Sequence, residues 1–549
     1  MNRRDFIKNM AATAGSISPL LKFSGSLALL SSTAMASTPT TGFKAIVILN
    51  LNGGSDSMNT FIPTATQAHA QYKEIRSNLG VEKVDLSESI FYKTDDNGHY
   101  AVEAGDTNGD KQPYWPDDGQ ELGSEENLWG QYRLGSYHTR KDGKLYDDPN
   151  AEPTGLGIHA YMPELAALYD NKKLSIVSGV GILKEPLIKD AKRIEGSKFP
   201  PFLFSHSHQS KAVSALSWET LQKTGWAGRL ADRWSSNGES KINGDIGLNL
   251  SFTGGGNIFH GKYTSGLKLT SEGLKEYKIG NDYINKLYET VSEDNNFNRV
   301  YNKQLSQQAK FIDFMNTSWS TVRDFDTFEA KNAYGKNLFD KGGDALEYKK
   351  LLGVRTHHGL ESQGIYNSFR DTAKMLQLSK DTFSNNRQIF YIDHGGYDYH
   401  GGQMEVQTKH LRSMSMAISD FYKALEEMGM EKEVLVIQTS DFGRTMKSNS
   451  DGTDHGWGGH GFMLCGDPKF NGGNVLGTVM EDVSLEGPYA HTDRARIIPT
   501  TALEQMMAPA LDWFGVDKDT MAHVLPNLTA FETEAGDYKS AFLKDVFKA

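Results

Sequence analysis

The chain has 549 residues, of which 38% are hydrophobic and 11% are aromatic. This composition permits a sizeable buried core and excludes a largely disordered protein. The formal net charge of −11 argues against nucleic acid as a partner, because phosphate backbones attract basic surfaces. Cys465 is the single cysteine, which excludes an intrachain disulfide.

The first 36 residues predict a twin-arginine export signal. Arg3 and Arg4 precede Asp-Phe-Ile-Lys, a mildly apolar stretch covers 11–30, and Ala34-Met35-Ala36 forms an A-x-A cleavage site. The alternative is a basic, disordered leader. We expect the twin-arginine export machinery as a partner, a periplasmic or extracellular location, and a mature chain of 37–549. No later stretch has the ~20 apolar residues of a membrane span.

Strand and helix patterns alternate along much of the mature chain. Buried parallel strands are predicted at 43–51, 174–180, 388–392 and 433–439, and helices at 162–168, within 217–234, at 362–378 and at 408–428. This rhythm predicts an α/β domain with a mainly parallel central sheet flanked by helices. Two stretches depart from it and are interpreted as insertions: hairpins and loops at about 81–155, and charged helices at about 265–350.

Polar clusters follow the predicted strands, where open α/β sheets bind their ligands. Carboxylates and imidazoles are the ligands of divalent metals, and glycines let the backbone approach an ion closely. Residues two apart on an extended chain share a face, so Asp398 and His400 could converge on one ion. The predicted metal ligands are Asp56, Asp398, His400, Asp441, Asp454 and His455.

A second set of residues predicts catalysis. Ser205 and His206 precede a helical segment, where the helix N-terminus favours an oxyanion or a phosphate. Arg444 could clamp an anion through its planar guanidinium group, and His460 could act as an acid or base. The alternatives are structural: a turn aspartate at Asp56, a helix-capping serine at Ser205, and an Asp441–Arg444 ion pair.

Several segments together resemble an exported protein family that is named domain of unknown function 1501. They are GGSDSMNTFIP, LSIVSGVG, SHSHQS, GWAGRLAD, DHGGYDYHGGQ, SDFGRT, TDHGWGGHGF and RIIPTTALEQMMAPALDWFGV. That family is similar to the alkaline phosphatase and sulfatase superfamily, whose members use an α/β sheet, two metal positions and a nucleophilic hydroxyl or modified residue. The resemblance implies an alkaline-phosphatase-like fold for this chain.

The resemblance also assigns roles to individual positions. Asp56 resembles the metal carboxylate after the first strand, and Ser205 the nucleophile. Asp398 and His400 resemble the Asp/His pair of one metal, Asp441 the aspartate of the next metal loop, and His455 or His460 the late histidine. Phe442 stands where the superfamily usually has histidine, which leaves three possibilities: one metal, an altered metal, or no catalysis.

These observations predict a metal-dependent hydrolase of phosphate or sulfate esters, acting on a small anionic ester or a sulfated or phosphorylated polymer. The metal could be zinc, manganese or calcium. The main alternative is a non-catalytic binding or assembly protein on a phosphatase-like scaffold, and a lesser one is an isomerase or transferase of phosphorylated compounds.

Overall fold

The computed structural model describes most of the chain beyond residue 41. The described residues are 42–81, 137–138, 140–141, 144–145, 155–159, 162–187, 198–219, 223–236, 247–253, 256–269, 316–332, 337–339, 363–383 and 385–548. The predicted signal peptide and most of the two predicted insertions lie outside them. No described helix is both long enough and apolar enough to cross a membrane.

Besides a helical segment at 316–321, the described residues contain eight α-helices with defined bounds. They are α1 (Thr66–Arg76), α2 (Pro163–Asp170), α3 (His206–Ala215), α4 (Trp226–Ser236), α5 (Gln363–Asp381), α6 (Gln403–Glu427), α7 (Leu503–Phe514) and α8 (Lys518–Val524). The helices predicted at 162–168, within 217–234, at 362–378 and at 408–428 have observed counterparts, whereas most of the region of the charged helices predicted at about 265–350 lies outside the described residues. Helix α6 is longer than predicted because it begins at Gln403, directly after the second pair of glycines.

Eighteen strands lie within the same residues. They are β1 (Lys44–Leu51), β2 (Phe61–Pro63), β3 (Tyr137–His138), β4 (Arg140–Lys141), β5 (Lys144–Leu145), β6 (Leu156–His159), β7 (Leu174–Gly181), β8 (Asn249–Ser251), β9 (Leu267–Lys268), β10 (Arg387–His394), β11 (Val434–Ser440), β12 (Arg444–Ser448), β13 (Thr453–His455), β14 (Gly459–Cys465), β15 (Val475–Leu476), β16 (Ala490–His491), β17 (Arg496–Ile497) and β18 (Thr501–Ala502). The four predicted buried strands correspond to β1, β7, β10 and β11.

The chain divides into two compact units. The first comprises Met1–Ala45, Lys223–Arg323 and Lys374–Tyr391, and the second comprises Ile46–Gln222, Asp324–Ala373 and Ile392–Ala549. In the first unit, β8 pairs in parallel with β9 and with the early residues of β10. Helix α4 is joined to β8 by a hydrogen bond from Asn249 Nδ2 to the carbonyl of Ala227 (2.9 Å).

The second unit is built on a mixed, mostly parallel sheet. Strands β15 and β18 both run parallel to β7, whereas β14 runs antiparallel to β7 and to β11. The reversed direction places the start of β14 beside the end of β7, with Gly459 opposite Val180. The loop that precedes β14 therefore reaches the sheet edge at which β7 ends.

A small four-stranded sheet of order β13-β12-β17-β16 accompanies the large one in the second unit. Its β12 and β13 form an antiparallel pair in which Arg444 lies opposite His455. Apolar residues of β12 and β17 pack with α1 and with the segment that follows β1 in one buried cluster that includes Met446, Ile497, Tyr72 and Met58. Because β12 is paired with β13, this packing also fixes the positions of Arg444 and His455, two residues that the sequence assigns to the functional site.

Candidate functional site

Three imidazoles and one carboxylate meet in the second unit. His455 Nε2 lies 2.9 Å from His400 Nε2, 3.1 Å from His206 Nε2 and 3.2 Å from Asp398 Oδ1. Asp398 also approaches His400 Nε2 (3.1 Å) and His206 Nε2 (3.5 Å). We call these four residues the histidine cluster. Among the described residues, His206, Asp398 and His455 also satisfy the distance requirement for holding one metal ion.

The backbone around Phe204 sets the protonation of His455. The Phe204 carbonyl lies 2.7 Å from His455 Nδ1, and a carbonyl can only accept, so Nδ1 carries the proton. The lone pair of Nε2 then faces the cluster. Phe204 has a φ of +72°, a conformation that costs a non-glycine residue about 1–3 kcal/mol and persists where surrounding contacts enforce it.

Side chains of the loop after β10 alternate between buried and exposed, and the exposed ones belong to the cluster. Tyr397 and Tyr399 are buried, whereas Asp398 and His400 are about half exposed. Tyr397 Oη bonds to His394 Nδ1 (3.0 Å), and Tyr399 Oη bonds to His410 Nδ1 (2.8 Å) on α6. The structure brings Asp398 and His400 together on one exposed face, 3.1 Å apart. The two buried tyrosines that hold this face escaped the sequence analysis.

Arg444 is directed at Asp398 and at the backbone. Its Nη1 donates to Asp398 Oδ1 (2.6 Å) and to the Gly53 carbonyl (3.3 Å), and its Nε and Nη2 donate to the hydroxyl and carbonyl of Thr453. Desolvation would raise the pKa of Asp398, but the hydrogen bond and charge of Arg444 outweigh it and lower that pKa. Asp398 is therefore ionised at neutral pH, and Arg444 has little donor capacity left for a substrate.

Asp441 and Asp454 flank the cluster on two sides. Asp441 is buried, accepts from the Gly53 backbone N–H (3.0 Å) and lies 3.8 Å from His206 Nδ1. Burial raises its pKa. Asp454 lies 3.3 Å from His400 Nδ1 and also pairs with Arg494. A carboxylate on the far nitrogen of a ligating histidine orients the ring and makes it more basic, and Asp454 is placed to act in that way.

Asp56 lies in a buried polar network of its own. Arg76 donates to both carboxylate oxygens of Asp56, at 2.5 and 2.7 Å, and Gln403 Nε2 donates to one of them. Both side chains of the pair are fully buried. The structure does not bring the Asp56 carboxylate into the histidine cluster. Arg76 was not singled out in the sequence, because a lone arginine 20 positions away in a helical segment carries no signal of this pairing.

His460 is also separate from the cluster. Its Nδ1 accepts from the Gly179 backbone N–H (3.2 Å), so its proton is on Nε2, which has no hydrogen-bond partner among the described residues. Burial lowers the pKa of His460 to about 4. Its imidazole is therefore neutral at physiological pH.

Ser205 immediately precedes α3, as predicted. Its Oγ lies 2.9 Å from His208 Nδ1 and 3.4 Å from Ser207 Oγ. The ring of His208 stacks on Phe202, with 4.2 Å between ring centroids. The serine hydroxyl is thus held by its own helix, whereas His206, one residue later, enters the cluster.

Two arginines next to the cluster were missed by the sequence analysis. Arg496 donates from Nε to the His455 carbonyl (2.8 Å) and from Nη1 to Thr492 Oγ1 (2.9 Å), and it stacks on Phe204 at 4.2 Å. Its Nη2 has no acceptor within the described part of the chain. Arg494 is about half exposed. Their spacing of two, which puts both on one face of an extended segment, was the available signal.

Comparison with known proteins gives one family. No curated protein matches the chain. Residues 281–494, which include Asp398, His400, Asp441, Arg444, Asp454, His455 and His460, match the family described as protein of unknown function (DUF1501).

Proposed function

We propose that this protein is an exported, metal-dependent hydrolase of phosphate or sulfate esters with an alkaline-phosphatase-like fold. The observation that carries the proposal is the position of His455 Nε2, which lies 2.9–3.2 Å from His400 Nε2, His206 Nε2 and Asp398 Oδ1. Asp398 in turn lies 3.1 Å from His400 Nε2 and 3.5 Å from His206 Nε2. At such distances the lone pairs of two imidazole nitrogens repel each other unless a proton or a cation lies between them.

The donor set fits a small divalent ion. With Zn–N distances of ~2.0–2.1 Å, tetrahedral ligands stand roughly 3.3 Å apart, close to the separations within the cluster. We assign His206, Asp398 and His455 as ligands, with His400 as the fourth. His206 thereby takes a ligand role in place of the catalytic role expected from the sequence. A bound ion would polarise an ester oxygen and lower the pKa of a nearby hydroxyl or water.

The surrounding residues supply orientation and charge. Arg444 keeps Asp398 ionised and fixed, and Asp454 orients the ring of His400. Arg496 replaces Arg444 as the candidate for binding the ester anion, because its guanidinium group is held by three contacts while Nη2 remains available. A pre-positioned planar guanidinium group suits an oxyanion such as phosphate or sulfate.

A direct test measures metal and activity in the same preparation. Purified protein is analysed for zinc, manganese and calcium, and is then assayed with aryl phosphate and aryl sulfate in each metal. We expect about one equivalent of metal, lost in His455→Ala and retained in Lys447→Ala, a change at an exposed residue of β12. A protein that binds none of the three metals and cleaves neither ester in their presence would refute the proposal.

A second candidate is a non-catalytic binding protein on the same scaffold. The observation that favours it is Phe442, whose ring lies 4.8 Å from that of His206 and 4.9 Å from that of His455. An apolar ring there occupies space beside the cluster that a second metal would need. Stoichiometric metal without hydrolysis of either ester would favour this second function.

A further inference from the structure

The start of helix α6 carries two glutamines, Gln403 and Gln407, at the four-residue spacing that places side chains on one face of a helix. Both residues are buried, with 0% and 2% of their surface exposed. A buried primary amide needs partners for its N–H donors and for its oxygen, because an unsatisfied polar group in the interior costs about 1–3 kcal/mol. The partners of these two amides therefore define which way each one points.

Contacts with the segment around Asp56 fix the orientation of both amides. Gln407 Nε2 donates to the Asp56 backbone carbonyl (2.9 Å), so Gln407 Oε1 is the atom that accepts from Gln403 Nε2 (2.9 Å). Gln403 Nε2 also donates to the Asp56 carboxylate. Gln403 thus has two acceptors for its amide nitrogen, and either one alone keeps its oxygen directed elsewhere.

Thr453 connects that oxygen to Arg444. Gln403 Oε1 lies 2.8 Å from Thr453 Oγ1, and an amide oxygen can only accept, so the threonine hydroxyl donates to it. With its proton committed in this way, Thr453 Oγ1 meets Arg444 Nε (3.3 Å) as an acceptor. Arg444 Nη2 donates to the carbonyl of the same threonine. Thr453 therefore holds one edge of the guanidinium group through two hydrogen bonds.

We propose that Gln403 is a positioning residue, which acts through Thr453 and Arg444 to fix the direction of the Asp398 carboxylate. Arg444 Nη1 donates to Asp398 Oδ1 (2.6 Å), so a rotation of the guanidinium plane would move the donor that holds this carboxylate. Gln403, Thr453 and Arg444 are at most 1% exposed, so bulk water does not compete for the hydrogen bonds between them. The consequence for a bound metal rests on the proposed function, whereas the effect on Arg444 does not.

The first test observes the Arg444 Nε–H group in full-length, metal-free protein labelled with ¹⁵N-arginine, in which Arg444→Lys identifies the resonance by its loss. Gln403→Met keeps the side-chain length but removes the amide. We expect it to shift this resonance and to speed its exchange with solvent by about fivefold, as for the loss of one net hydrogen bond. An unshifted resonance in folded Gln403→Met protein would overturn the proposal.

Gln407→Met is the matched control. It removes an equally buried amide from the same helix face and the same network, but Gln407 does not contact Thr453, and Asp56 still accepts from Gln403 Nε2. The Arg444 resonance should therefore stay in place in this variant. An equal shift in Gln403→Met and Gln407→Met would show that both amides only stabilise the fold.

Thr453 supplies a second pair of variants. Thr453→Val has nearly the same shape but lacks the hydroxyl, whereas Thr453→Ser keeps the hydroxyl and lacks the methyl group. We expect Thr453→Val to shift the Arg444 Nε–H resonance and Thr453→Ser to leave it near its position in the natural protein. A role in packing alone predicts the reverse order, so a larger shift in Thr453→Ser would contradict the path through the hydroxyl.

Metal affinity measures the consequence at the site. In competition with a chromogenic chelator, Gln403→Met and Thr453→Val should each weaken zinc binding roughly tenfold, whereas Gln407→Met should change it less than about twofold. A shifted Arg444 resonance with unchanged zinc affinity would show that Asp398 does not depend on Gln403. Natural protein that binds no zinc, manganese or calcium would refute the proposed metal site, and the Arg444 resonance would then decide the positioning role by itself.

Discussion

Arg444 Nη1 lies 2.6 Å from Asp398 Oδ1, and the two residues differ sharply in exposure: the arginine side chain is fully buried, whereas that of the aspartate is 43% exposed. A charge-assisted hydrogen bond from a rigid, buried donor fixes the direction of an otherwise mobile carboxylate. The pair therefore joins the interior of the second unit to the histidine cluster.

We predict that Arg444→Lys weakens metal binding by about 10- to 100-fold, the usual effect of losing a residue that orients a metal ligand. Lysine retains the charge but cannot contact Asp398, Gly53 and Thr453 together. Competition with a chromogenic chelator measures the affinity, with Lys447→Ala as the matched change on β12. A folded Arg444→Lys protein with unchanged affinity would show that Asp398 needs no such support.

A substitution of Asp56 tests whether its carboxylate stabilises the fold or binds a metal. Removing one member of a buried ion pair costs about 3–5 kcal/mol, because the other charge is left uncompensated. We expect Asp56→Ala to lower the unfolding free energy by this amount in urea titrations. Metal content per folded molecule should stay constant. Loss of metal with undiminished stability would instead restore the ligand role that the sequence predicts for Asp56.

Tyr399→Phe removes the hydroxyl that bonds to His410 Nδ1 at 2.8 Å. His410 is buried, so its nitrogen loses a partner that water cannot replace. We expect a loss of about 1–3 kcal/mol in unfolding free energy and weaker metal binding, since Asp398 and His400 flank this tyrosine. Tyr263→Phe, at a largely exposed position, serves as the control and should change neither property.

Asp420 should make stability depend on pH. Burial raises its pKa to about 7 in spite of hydrogen bonds from the Phe339 N–H and the Tyr366 hydroxyl. The ordinary value is ~3.9, so the folded state holds this proton more tightly than the unfolded state. Its stabilising contribution is full below pH ~4, declines by up to about 1.4 kcal/mol per pH unit, and is lost above pH ~7.

Asp420→Asn separates this effect from other titrating groups. The asparagine cannot ionise, so the difference in unfolding free energy between the variant and the natural protein should change between pH 4 and 7, in favour of the variant as pH rises. Urea titrations at several pH values measure it. A difference that stays constant with pH would show that Asp420 is ionised in the folded protein throughout.

Much of the second unit's sheet could be predicted because its strands carry local signals. The runs at β1, β7 and β11 are apolar, β-branched and bounded by glycines or polar residues, which distinguishes buried strands from helices. The antiparallel β14 was not predicted. Its sequence, GHGFMLC, has two glycines and a histidine at its start, and its direction depends on pairing with β7 and β11, which no local pattern encodes.

The residues that form the site could be predicted from the sequence better than the role of each residue. The alternation of tyrosines with Asp398 and His400 is local, and their convergence followed from strand geometry. The partners of Arg444 and Asp56 depend on contacts between distant segments, and spacing alone could not decide whether either residue faces a ligand or the interior. His206 was assigned to catalysis for the same reason, because its nearness to His455 arises only in the folded chain.

His206 and His455 lie 249 positions apart in the chain, yet their Nε2 atoms are 3.1 Å apart. An ion held by both would act as a removable cross-link that closes a very long loop, and its binding energy would add to the stability of the folded state. Chelation should then shorten the survival of the whole second unit during proteolysis, with cleavage far from the ion as well as beside it.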